Sequence, residues 1–144
     1  MTLDKNFEDF VVMLNQQGVT YVVVGGYALA FHGKPRHTGD LDIWIDLSDD
    51  NARKMVQVLN DFGMSSLGLN KIDFIQKGGM TQIGYPPLRI DIINEIDGID
   101  FSEAYANKLI IDIDSLPVNF IGLSDFIETG RQVATIGTLP MLVH

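Results

Sequence analysis

Apolar residues recur along this chain with two periods, and the switches between them mark its elements. From Asp4 to Gln17, Phe7, Phe10, Val11 and Leu14 fall at helical spacing, and Gly18 supplies a stop. Tyr21 to Val24 is an unbroken apolar run rich in β-branched residues, which predicts a buried strand ended by Gly25 and Gly26. Tyr27 to Gly33 reads as a short helix, and KPRHTG as a loop with two breakers. Asp40 to Asp46 then alternates acidic and apolar residues. A period of two predicts a half-exposed strand with Asp40, Asp42, Trp44 and Asp46 on one face and Leu41, Ile43 and Ile45 on the other. Ser48 is placed to cap a helix over 49–62, striped by Ala52, Met55, Val56 and Leu59 and closed by Gly63.

The second half is less regular. Asn70 is positioned to cap a helical turn over 71–76, Met80 to Tyr85 reads as a strand, and Pro86-Pro87 forms a rigid link. Leu88 to Asn94 reads as another strand, with Arg89, Asp91 and Ile93 on one face. A short helix is expected over 101–106, and a hairpin from 108–113 and 116–121 across an Asp-Ser turn. Ser124 starts a last helix. The tail after it has no clear period.

Composition narrows the class. The 144 residues suit one domain able to bury a core without staples. There is no cysteine, which excludes disulfides and thiolate metal sites and agrees with a cytoplasmic location. The N-terminus has no secretory pattern, and no apolar run approaches a membrane span. A formal net charge of −9 argues against a broad nucleic-acid surface. Part of that charge is concentrated: GDLDIWIDLSDD holds five aspartates in twelve residues. Such a cluster is either a solvated acidic loop or a cation site.

Spacing favours the cation. Asp40 and Asp42 lie two apart on a predicted strand, so both carboxylates leave the same face, where like charges repel unless a cation lies between them. Oxygen-only ligands suit Mg²⁺ or Mn²⁺. Asp91, between Ile90 and Ile92, adds a carboxylate inside an apolar strand, either as an edge residue or as part of the same site. Gly25-Gly26 after a strand allows positive φ and close approach of phosphates, although a plain turn would use the same residues. Lys34 and Arg36, just before Asp40, are candidate phosphate contacts or a solvated basic loop. His37 can orient phosphate or cap the loop, and Thr38 can cap its turn. Arg89 shares the Asp91 face and is placed to pair with it. Trp44 is expected to pack against a helix rather than stack on a base, His32 to be structural, and Asp46 to sit at the rim.

With these residues in place, VVVGGYALAFHGKPRHTGDLDIWID resembles the DNA polymerase β-type nucleotidyltransferase superfamily, with its Gly-Gly, spacer, Asp-x-Asp and later third carboxylate. More narrowly, IGYPPLRIDIINEIDGIDFSEAY and NFIGLSDFI are similar to two signatures of small bacterial nucleotidyltransferase-like proteins related to abortive-infection toxins. The likeness spans roughly residues 3–128. It implies an α/β (α+β) nucleotidyltransferase fold: a short, mixed, twisted sheet with helices mainly on one face. It implies Gly25 and Gly26 for the triphosphate, Asp40 and Asp42 for the metals, and Asp91 as third ligand and base. The implied reaction moves a nucleoside monophosphate from a nucleoside triphosphate to a hydroxyl acceptor on RNA, protein or a small molecule, with Mg²⁺ or Mn²⁺.

The resemblance ends at residue 128. Relatives continue with a basic helix, whereas residues 129–144 form an atypical tail. Back-translated and shifted in frame, that tail can encode the order of the expected helix, so a reading frame that slipped near Glu128 is one explanation and divergence the other. The tail keeps a second function open: an inactive nucleotide-binding or partner-binding protein of the same fold, such as a toxin–antitoxin component.

Overall fold

The structure, a computed structural model, describes residues 3–33, 39–85 and 88–136. Helix α1 (Lys5–Gln17) opens where the Asp4 side chain accepts from Asn6 N–H, and closes at Gly18 in the left-handed region. It buries Phe7, Phe10, Val11 and Leu14, the four residues whose spacing predicted it. Strand β1 (Tyr21–Val24) is buried throughout. Helix α2 (Gly25–Phe31) begins two residues earlier than its composition suggests, so the glycine pair belongs to the first helical turn rather than to a separate one. Strand β2 (Asp40–Ile45) follows, then α3 (Asp49–Asp61), whose Ser48 cap accepts from Asn51 N–H.

Residues Ser65–Leu67 add a single 3₁₀ turn before α4 (Ile72–Ile75), where Asn70 Oδ1 accepts from Ile72 N–H. Strands β3 (Met80–Tyr85) and β4 (Leu88–Ile93), helix α5 (Phe101–Ala106), and strands β5 (Leu109–Ile113) and β6 (Leu116–Phe120) complete the sheet. Helix α6 runs from Leu123 to Ile136, so it crosses Glu128 without a break.

Among the described residues, six strands lie in the order β3-β4-β2-β1-β6-β5. β1 runs antiparallel to β2, β2 parallel to β4, and β1 parallel to β6, which makes the sheet mixed as expected. Alternation along β2 then divides the layers. Leu41 pairs with Ile90 and Ile83 with Ile90, and that face meets α1 and the segment following α3. Trp44 leaves the other face and is covered by α5, its ring 5.0 Å from that of Phe101. Two buried asparagines pin the connections. Asn51 holds Thr20 and Asp46, and Asn94 holds the 74–79 segment. Among the described residues, no helix is long and apolar enough to cross a membrane.

Candidate functional site

The three aspartates meet because of strand register. In the parallel β2–β4 ladder, Asp40 lies opposite Arg89 and Asp42 opposite Asp91. Residues opposite one another share a face, so all four side chains leave the sheet on the same side. In the antiparallel β1–β2 ladder Asp42 also lies opposite Val24, the last residue before the glycine pair. The end of β1, the starts of β2 and β4, and the first turn of α2 therefore converge.

Gly25 makes that convergence possible. Its φ is +69°, and a β-carbon there would fall onto the Asp42 carboxylate, 2.8 Å from Cγ. The glycine thus opens space for a side chain of its own protein. Gly26 is buried next to it in the same helical turn.

Asp42 and Asp91 are each 1% exposed, directly opposite each other. Among the described residues, neither oxygen of Asp42 has a hydrogen-bond partner. An ionised carboxylate in that position is costly. Burial first, then the charges of Asp91 and Asp40, push the Asp42 carboxyl from 3.8 up to about 8, and Arg89 only partly opposes them. Asp42 can be relieved by a proton or by a cation.

Arg89 neutralises the other two. Its Nε donates to Asp91 Oδ1 at 2.9 Å, and its Nη2 to Asp91 Oδ2 at 3.0 Å and Asp40 Oδ2 at 3.1 Å. These bonds and charges raise the Arg89 pKa above its usual value. The sequence places Arg89 beside Asp91, but its bridge to Asp40 depends on a register between strands far apart in the chain. Gln82, opposite Asp91 on the β3 side, also joins this face, and only the register reveals it.

The remaining sequence candidates separate. Lys34, Arg36, His37 and Thr38 lie outside the described residues. Trp44 is 1% exposed beneath α5, which bars it from stacking on a bound base. His32 Nε2 donates to the Ile121 carbonyl at 2.9 Å and ties the end of α2 to the chain after β6, a structural role. Asp46 is half-buried beyond the strand, and its carbonyl accepts from Asn51.

The carboxylates suit a divalent cation in kind. Three carboxylates from two strands include one whose oxygens are both buried and, among the described residues, unpartnered, a donor set whose chemistry fits Mg²⁺ or Mn²⁺. Among the described residues no three acidic or histidine side chains are already arranged to hold a metal. In this arrangement the Arg89 guanidinium holds Asp40 and Asp91 to itself. A cleft of about 470 Å³ lies elsewhere, lined by Phe7, Met13, Phe62, Ile83 and Ile90 on the opposite face of the sheet. It has no access to these carboxylates.

No family model matches the chain, and no curated protein sequence matches it. Its structure is similar to a crystal structure from Thermotoga maritima described as a candidate nucleotidyltransferase. The TM-score is 0.65 at 14% identity, over 91% of this chain and 84% of that one. At that identity the likeness establishes the architecture, and the chain has a nucleotidyltransferase fold.

Proposed function

We propose that this protein is a divalent-metal-dependent nucleotidyltransferase, moving a nucleoside monophosphate from a nucleoside triphosphate to a hydroxyl acceptor. The observation that carries the reading is Asp42, a buried carboxylate with no partner for either oxygen among the described residues, set against Asp91 and the first turn of α2. A fold that only needed filling would place an apolar residue there. The similarity in architecture to a candidate nucleotidyltransferase supports the same reading.

In this reading Asp40, Asp42 and Asp91 hold Mg²⁺ or Mn²⁺. The metal supplies positive charge against the phosphate oxygens of the substrate. Gly25 and Gly26 let the triphosphate approach the main chain, with Lys34, Arg36 and Thr38 as further contacts. Asp91 accepts the proton of the acceptor hydroxyl, which requires Arg89 to release it. Arg89, once released, is a planar donor free to bind phosphate oxygens. The acceptor is a hydroxyl of RNA, protein or a small molecule, and the net charge of −9 disfavours a long RNA.

One observation favours a second reading. Arg89 already satisfies Asp40 and Asp91, as it would in a nucleotide-binding or partner-binding protein that has given up turnover. Incubation with each labelled triphosphate, Mg²⁺ and cell lysate separates the two. The enzyme transfers label, and Asp42→Asn loses that transfer by about a hundredfold or more. Nucleotide binding without transfer selects the second reading, and equal transfer by parent and variant removes the assigned site.

A further inference from the structure

The outer edge of β5 carries an inference independent of the carboxylate site. β5 is a terminal strand of the sheet, three strands away from β2. Its sequence, LIIDI, is apolar for an edge, with Leu109 41% and Ile110 59% exposed. Exposed, flat, apolar edges are templates for further strand pairing, and proteins usually blunt them. The residues of β5 keep an unbroken register with β6 from Leu109 to Ile113.

The hairpin geometry states which groups this edge offers. Asp114 and Ser115, with φ of 51° and 72°, form the two-residue turn, and Ile113 pairs with Leu116 across it. In such a hairpin the closing pair exchanges both its hydrogen bonds, and bonded pairs then alternate. Ile113, Ile111 and Leu109 therefore direct their main-chain groups toward β6. Asp112 and Ile110 direct theirs outward, as does the carbonyl of the preceding Lys108, whose N–H bonds back to the Tyr105 carbonyl.

We propose that this edge pairs antiparallel with β5 of a second copy, across a two-fold axis through Ile110. Both the outward groups and the charges fit that register. Ile110 faces Ile110 of the second copy, and Lys108 of each copy faces Asp112 of the other, giving two opposite-charge pairs once the Lys108 ammonium turns from the Tyr105 ring and carbonyl that hold it in the single copy. Moving the axis to Ile111 would set Ile110 against Asp112 and lose both matches. Lys108 N–H already bonds to the Tyr105 carbonyl, so the pairing uses its carbonyl, and about four main-chain bonds form across the axis. Leu109 of the second copy falls beside Ile111, at the mouth of a cleft of about 290 Å³ walled by Ala30 and Phe31. The six-stranded sheet becomes continuous through two copies. A second copy is the occupant the charges select, because the complementarity is of the strand with itself.

Sedimentation equilibrium of the full chain tests this. The parent is expected at twice 16.0 kDa, and Ile110→Lys, which sets two ammonium groups together on the axis, at 16.0 kDa with an unchanged circular dichroism spectrum. Lys108→Asp alone shifts the equilibrium toward monomer, whereas the swap Lys108→Asp with Asp112→Lys restores the dimer. A parent that remains monomeric at its highest soluble concentration overturns the proposal. So does an Ile110→Lys protein that still dimerises, or a charge swap no better than the single substitution.

Discussion

At the scale of single residues, the site is a problem of space before it is one of charge. Gly25 is necessary twice: for its φ of +69°, which a side chain resists, and for the room its missing β-carbon leaves to Asp42. The two requirements can be measured separately. Gly25→Ala is expected to lose about 2–4 kcal/mol in urea denaturation, combining left-handed strain with displacement of the Asp42 carboxylate. In an Asp42→Ala background the clash is gone, and the same substitution should cost only the conformational part, about 1–2 kcal/mol. Equal costs in the two backgrounds would mean that Gly25 and Asp42 are not coupled. The sequence makes the glycine pair visible but reads it as a turn, either plain or open to a phosphate. Glycine is a weak helix former, so local pattern favours a turn there, whereas α2 in fact starts at Gly25 and the space beside it holds Asp42.

At the scale of elements, what could be read in advance is what short-range periodicity controls. The alternation in DLDIWID sets both the strand and the shared face of Asp40 and Asp42, and the four apolar residues of α1 set its buried side. The parallel register that lays Asp91 beside Asp42 joins strands about fifty residues apart and leaves no local trace, and the same holds for Arg89 and Gln82. The last helix shows a limit of a different kind. Its residues beyond Glu128 lack a clear apolar period, yet the helix continues to Ile136. Contacts made by buried polar residues are similarly non-local. Asn94 Oδ1 accepts from Gly78 and Gly79 N–H at 3.0 and 3.1 Å, and its Nδ2 donates to the Phe74 and Gln76 carbonyls at 3.1 and 2.8 Å. This one side chain ties α4 and the start of β3 to the end of β4. Asn94→Ala leaves those main-chain groups without their partner and should cost about 2–4 kcal/mol, with faster amide exchange at Gly78 and Gly79. Unchanged protection at those two amides would show that the segment is held by other contacts.

At the scale of the whole molecule, the buried carboxylate makes stability depend on pH and, under the proposed function, is expected to make it depend on cations. The folded protein holds the Asp42 proton up to a pH of about 8, while the unfolded chain releases it near the ordinary 3.8. Between these values the folded state binds more protons than the unfolded state, so this group's contribution to stability falls as pH rises through the window, and it levels off above pH 8. Asp42→Asn, which mimics the neutral acid, should match the parent's melting temperature near pH 4 and exceed it increasingly up to pH 8 in the absence of metal. Under the proposed function a divalent cation should reverse the comparison for the parent alone, by replacing the proton as the partner of Asp42. Mn²⁺ at pH 7 should raise the parent's melting temperature, release close to one proton per ion bound in calorimetry across buffers of different ionisation enthalpy, and leave Asp42→Asn nearly unmoved. A parent whose melting temperature tracks that of Asp42→Asn across the window would show that Asp42 is already ionised and otherwise compensated. A cation response of equal size in both proteins would place the ion away from Asp42.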